Sequence, residues 1–197
     1  IADDERLTLP HPLASERGFV LVPWLEIDVE GEIPGRGFIV DLISGVDVSG
    51  VVKRDDVEIM APRAGEVRVR VHYCGLCHSD LSVVSGVFPF MGPVIVGHEA
   101  SGVVESVGPG VTHLAPGDPV ILTPLPPCGN CYFCQRGQHS LCVNGIGLAT
   151  MALPDGNTGL SRGGETVLRG VGLGALAEYV ITPASGAIKV DADVPLE

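Results

Sequence analysis

The chain has 197 residues, with 12 Lys and Arg against 24 Asp and Glu, and a formal net charge of −12. It has no basic run to meet a phosphate backbone, so nucleic acid is excluded as a partner. No stretch of about 20 apolar residues is available to span a membrane. With 45% hydrophobic and 18% charged residues the chain has material for a packed core, while 27 glycines and 16 prolines exclude a helix bundle.

The first residue is Ile1, and no charged n-region with an apolar h-region follows it. This reads as a fragment, or a processed or engineered piece, of a cytoplasmic chain. Residues 1–50 and 51–197 differ in texture. In the first part, the apolar positions of Phe19, Val20, Val22, Trp24, Leu25 and Ile27 predict a short helix broken or kinked by Pro23. Pro34-Gly35-Arg36-Gly37 predicts a turn, and Phe38 to Ile43 a second helix or a strand.

From about Val51 the pattern turns to β. Glu66-Val67-Arg68-Val69-Arg70-Val71-His72 alternates strictly, which predicts a strand with one buried face. Further strands are predicted over 102–107, 119–122, 177–181 and 187–190, separated by turns such as Gly108-Pro109-Gly110 and Pro116-Gly117-Asp118. Short strands at this spacing predict a mainly β fold, a barrel or a sandwich.

Four cysteines crowd one loop: Cys128-Gly-Asn-Cys131-Tyr-Phe-Cys134, then Cys142. Two-residue spacers let successive thiolates wrap one ion, and a distant fourth closes the tetrahedron that zinc prefers. With all four positions filled by protein, such a zinc is structural. An iron–sulfur cluster uses the same ligand types, and free or disulfide-bonded cysteines are the remaining alternatives. A second constellation joins Gly75-Leu76-Cys77-His78-Ser79-Asp80 to Gly97-His98-Glu99. Cys77 and His98 supply a thiolate and an imidazole, two ligands of an open zinc site. Asp80 is suited to hold the other ring nitrogen of His98, and Ser79 to relay a proton beside the metal. The alternative for each residue taken singly is core packing or surface.

These residues resemble the catalytic domain of the zinc-containing medium-chain alcohol dehydrogenases, over about residues 51–197. The resemblance implies a GroES-like, partly open β-barrel and hydride transfer between an alcohol or aldehyde and NAD(P). It implies that Cys77 and His98 ligate a catalytic zinc and that Glu99 lies behind the metal and ligates it transiently. Ser79 takes the place of the relay hydroxyl, His78 that of the basic residue near the cofactor pyrophosphate, and Asp80 that of the carboxylate behind the metal. Gly172 to Tyr179 is similar to the formaldehyde-oxidising or thiol-dependent branch. Family members are dimers or tetramers, associating largely through the cofactor domain.

Three departures accompany the resemblance. Ser82 stands where many members carry a relay histidine. The third zinc ligand, usually a cysteine, is expected shortly after a segment like Pro195-Leu196-Glu197, where the sequence stops. The nicotinamide-binding Rossmann domain is expected beyond that point and is read as absent. Gly172-Leu-Gly174-Ala-Leu-Ala177 fits a loose dinucleotide fingerprint, but Glu178 to Thr182 reads as a strand where a helix is required, so these glycines are predicted to form a turn.

Residues 1–50 resemble the C-terminal end of hydroxymethyl-dihydropterin pyrophosphokinase, through Glu5 to His11 and Glu16 to Ile27. Arg6, His11 and Arg17 match positions that touch ATP phosphates there. The magnesium aspartates and pterin pocket of that family lie upstream of the matching region, so these residues are expected to be ordinary surface. The domains expected are therefore a helical or α+β segment over 1–50 and the dehydrogenase-type domain over 51–197. The function expected is that of a zinc-dependent alcohol dehydrogenase, present as a partial chain with little activity alone. The alternatives are a non-catalytic zinc-binding module and a pyrophosphokinase remnant that binds ATP weakly.

Overall fold

The computed structural model describes residues 2–3, 8–9, 14–16, 18–48 and 56–196. Arg6, His11, Arg17, the expected boundary between residues 50 and 51, and Glu197 lie outside them. The chain divides into two compact units, Ile1–Asp55 and Asp56–Glu197.

In the first unit, helix α1 (Gly18–Ile27) passes through Pro23 rather than stopping there. Proline costs the helix one backbone hydrogen bond. Burial offsets that loss: Leu21 is fully enclosed, with Val20, Trp24 and Leu25 packed around the same small core as Ile33 and Ile39. The predicted turn joins a two-stranded hairpin, Glu32–Ile33 with Gly37–Phe38. Helix α2 (Ile39–Leu42) follows at once, so the segment read as helix or strand is both in succession.

The second unit is built on one antiparallel sheet. Its strands are β1 (Glu66–Gly75), β2 (Glu99–Val107), β3 (Pro119–Leu122), β4 (Tyr179–Pro183) and β5 (Ala187–Lys189). They lie in the order β4-β1-β2-β3-β5 and curl into a partly open barrel. Val67, Val69, Val104, Val120, Leu122, Val180 and Ala187 fill its interior. The strand predicted to begin at Ala177 begins at Tyr179.

The alternation of β1 does not persist to its end. The register passes from Val71↔Gly102 to Tyr73↔Ser101, which leaves His72 as an extra residue in a bulge. A bulge moves every later side chain to the opposite face. Val67, Val69 and Val71 therefore point inward, but beyond the bulge Cys74 joins the core and Tyr73 is exposed. A second shift leaves Glu105 unpaired on β2. Its carboxylate takes two 2.7 Å bonds from Arg68, and these hydrogen bonds, helped by Ser106, hold its pKa down at about 2.

Arg169, 1% exposed, is an unforeseen interior cation. Its guanidinium donates to the carbonyls of Thr158 and Ile181, tying a loop to β4. Burial pulls its pKa down to about 10.

The central strands approach closely because β2 carries a glycine at the contact. A Cβ on Gly102 would lie 2.2 Å from the Arg70 carbonyl oxygen and 2.9 Å from a Val69 methyl. Both belong to β1, whose backbone is fixed by pairing on both edges. We expect Gly102→Ala to destabilise this unit by about 3 kcal/mol or more, measured by urea unfolding. An unchanged midpoint would show that the two strands are not held at this spacing.

Candidate metal centres

Helix α3 (His78–Val84) starts immediately after β1, with Cys77 as its extended N-cap residue. Asp80 sits in its first turn with its side chain 3% exposed. One carboxylate oxygen accepts the Cys77 N–H at 3.1 Å. The other accepts the Gly97 N–H at 2.8 Å and lies 3.1 Å from Nδ1 of His98. A buried carboxylate surrounded by donors directs each of them. With Nδ1–H given to Asp80, the free lone pair of His98 is on Nε2.

Gly97 is needed where it stands. Its φ of +98° favours glycine, and a Cβ there would meet the Leu176 backbone nitrogen at 2.5 Å. Ala175 N–H donates to Gly97 O, and Leu176 N–H to Val96 O, each at 2.8 Å. The glycine-rich run 172–177 thus braces the segment that carries His98. A short helical turn (Gly170–Gly172) precedes this run and β4 follows it. No strand–turn–helix fingerprint forms there, as its sequence indicated.

Ligand atoms of Cys77, His98 and Glu99 all lie within 4.8 Å of one another. Ser79 Oγ is 3.7 Å from Cys77 Sγ. His78 is exposed at the head of α3, its Nδ1 3.5 Å from Ser82 Oγ. Ser82 donates its own proton to the His78 carbonyl at 3.1 Å. Cys74, one strand position before Gly75, is not among the convergent ligands, and burial pushes its thiol up to about 11.

The second centre is the loop from Cys128 to Cys142. Its four sulfurs also lie within 4.8 Å of one another, Cys128 and Cys134 being 4.0 Å apart. Four sulfurs held tetrahedrally at about 2.3 Å from one ion are about 3.8 Å apart. This spacing suits a single ion rather than a cluster of several irons. All six cysteines are free, so no disulfide competes.

Backbone donors point at the sulfurs: Cys128 and Asn144 N–H at Cys142, and Cys134 N–H at Cys131. The N–H groups of Cys134 and Val143 pull Cys131 down to about 6, whereas burial pushes Cys134 up to about 12. Thiols this close ionise together only when a cation balances them. The donor set therefore fits a closed, fully protein-ligated zinc.

The model of the alcohol dehydrogenase GroES-like domain matches residues 63–192. The chain belongs to this family. It is 40% identical over 145 residues to alcohol dehydrogenase B of Mycobacterium tuberculosis, covering 73% of this chain and 39% of that one. An NDMA-dependent alcohol dehydrogenase of Amycolatopsis methanolica is 38% identical over 143 residues, covering 73% and 38%. Among solved structures, an alcohol dehydrogenase zinc-binding domain protein from Burkholderia ambifaria superposes with a TM-score of 0.66 at 40% identity, covering 71% of this chain and 38% of that chain. Benzyl alcohol dehydrogenase from Acinetobacter calcoaceticus gives 0.63 at 33% identity, covering 71% and 38%. The GroES-like domain thus accompanies a chain that spans about two fifths of the length of these relatives. No helix among the described residues is long and apolar enough to cross a membrane.

Sequence reasoning named Cys77, Asp80, His98 and Glu99 as neighbours, and the GroES-like fold brings them together. It missed the brace behind Gly97 and the close approach of Gly75 to Glu99, whose only sequence signal is a glycine at each point. Replacing Asp80 by Asn puts an amide N–H where only acceptors serve. We expect Asp80→Asn to weaken zinc at the Cys77 centre ten- to a hundredfold and to leave the four-cysteine centre unchanged, read by chelator competition. Equal loss at both centres would contradict the local role of Asp80.

Proposed function

We propose that this chain is the metal-carrying part of a zinc-dependent, NAD(P)-linked alcohol dehydrogenase. The observation that carries the reading is the convergence of Cys77, His98 and Glu99 with Asp80 behind the imidazole. Three protein ligands leave a coordination position open for a small molecule, whereas the four-cysteine loop leaves none. Cys77, His98 and Glu99 would hold the catalytic zinc, and Cys128, Cys131, Cys134 and Cys142 the structural one. A zinc in the open centre supplies Lewis-acid polarisation of an alcohol or aldehyde oxygen.

The chain's own residues divide the remaining work. Asp80 fixes the ring of His98 and, through the Cys77 N–H, the start of α3. Ser79 holds a hydroxyl beside the Cys77 sulfur, where it would accept the proton of an alcohol while giving its own to water. Ser82 is turned to the His78 carbonyl and passes no proton onward by itself. His78, exposed at the head of α3, is free to meet an anionic cofactor group. A nicotinamide held by the complete protein would supply the hydride acceptor. We assign 51–197 as the dehydrogenase domain and 1–50 as a separate segment, and we expect this chain by itself to turn over little alcohol.

Zinc content tests the reading. The purified chain is expected to hold two equivalents. His98→Ala is expected to hold one and remain folded, and Cys128→Ser to hold one and melt earlier. A single equivalent in the unsubstituted chain, insensitive to His98→Ala, would leave a non-catalytic zinc module as the better description.

A further inference from the structure

Gly75 is the last residue of β1 and pairs with Glu99, the first residue of β2. Its φ is not in the left-handed region, so backbone conformation does not require glycine there. Space does. A Cβ built on Gly75 would lie 2.7 Å from Oε2 of Glu99, and its three nearest atoms all belong to Glu99. The other two contacts are milder, 3.3 Å to the Glu99 Cβ and 3.7 Å to its carbonyl oxygen.

The severe overlap is therefore with the mobile end of one side chain, not with backbone. This distinguishes Gly75 from Gly97 and Gly102, where a Cβ would meet backbone atoms of another segment at 2.5 Å and 2.2 Å. The Glu99 carboxylate, folded back over the bare Cα of Gly75, is the same group that lies within 4.8 Å of the ligand atoms of Cys77 and His98. Glu99 is otherwise exposed, and no other described side chain bonds its carboxylate.

We propose that Gly75 is a positioning residue: the missing side chain is the seat that holds the Glu99 carboxylate over the metal centre. The proposal rests on the reading that Cys77, His98 and Glu99 hold a metal. A methyl at position 75 takes the place of Oε2. The strand pairing tolerates it, and the carboxylate swings away from Cys77 and His98. The centre is left with a thiolate and an imidazole, and affinity falls without loss of fold.

The test uses the 197-residue chain with its four-cysteine loop filled by zinc and titrates cobalt(II) into the remaining centre, following the thiolate-to-cobalt absorption of Cys77. Gly75→Ala is expected to weaken cobalt binding about tenfold or more, with an unchanged melting temperature in chelator. In a Glu99→Gln background, where the side chain keeps its shape but loses its charge, Gly75→Ala is expected to add less than a twofold change. An unchanged affinity in Gly75→Ala overturns the proposal, as does an equal loss in both backgrounds, which would mean that the glycine acts through the strand. Absence of any Cys77 absorption in the unsubstituted chain would overturn the metal reading itself and the proposal with it.

Discussion

One buried carboxylate organises the open centre. Asp80 accepts from the Cys77 N–H, the Gly97 N–H and the His98 ring, so three donors from two separate segments converge on a side chain that is almost fully enclosed. A carboxylate is suited to this because it accepts at both oxygens and donates at neither. Removing it would leave backbone N–H groups buried without partners, at a cost of about 1–3 kcal/mol each. Helix α3 is short, and the surface from its last residue onward is apolar and exposed at Val84, Val87, Phe88 and Met91. The helix is held to the barrel at its N-terminal end by Asp80, and that is also the end that carries Cys77.

The two metal centres use opposite physical strategies on one small barrel. The four-cysteine loop gathers soft donors and directs backbone N–H groups at them, which favours thiolate and closes the coordination sphere. The proposed Cys77 centre mixes a thiolate, an imidazole and a carboxylate, three ligands that would leave a position open. Glycines make both the Cys77 centre and the sheet beneath it possible. Gly97 lets the 172–177 run press against the His98 segment, Gly102 lets β1 and β2 close up, and Gly75 makes room for Glu99.

What the sequence made legible was local. The alternation of Val67, Val69 and Val71 announced a half-buried strand, and cysteine spacing announced a loop of converging sulfurs, because each signal lies within a few residues. The partnership of Asp80 with His98 was legible through the chemistry of an imidazole beside a carboxylate. The bulge at His72 was not, because it is set by how β2 pairs, and it alone decides that Cys74 rather than Tyr73 enters the core. Arg169 was not legible either: its partners are carbonyls at Thr158 and Ile181, which carry no side-chain signature. Pro23 does not end α1, since propensity is a weak prior once Leu21 and its neighbours are packed.

The most direct measurement of this account is the proton on His98. Nitrogen-15 NMR of the ring, in the metal-loaded chain, distinguishes an N–H at Nδ1 from one at Nε2. If Asp80 orients the centre, Nδ1 carries the proton and donates it to the carboxylate, and Nε2 shows the shift of a ligating nitrogen. A proton found on Nε2, with Nδ1 bare, would mean that Asp80 does not hold this ring and that the centre is assembled by something else.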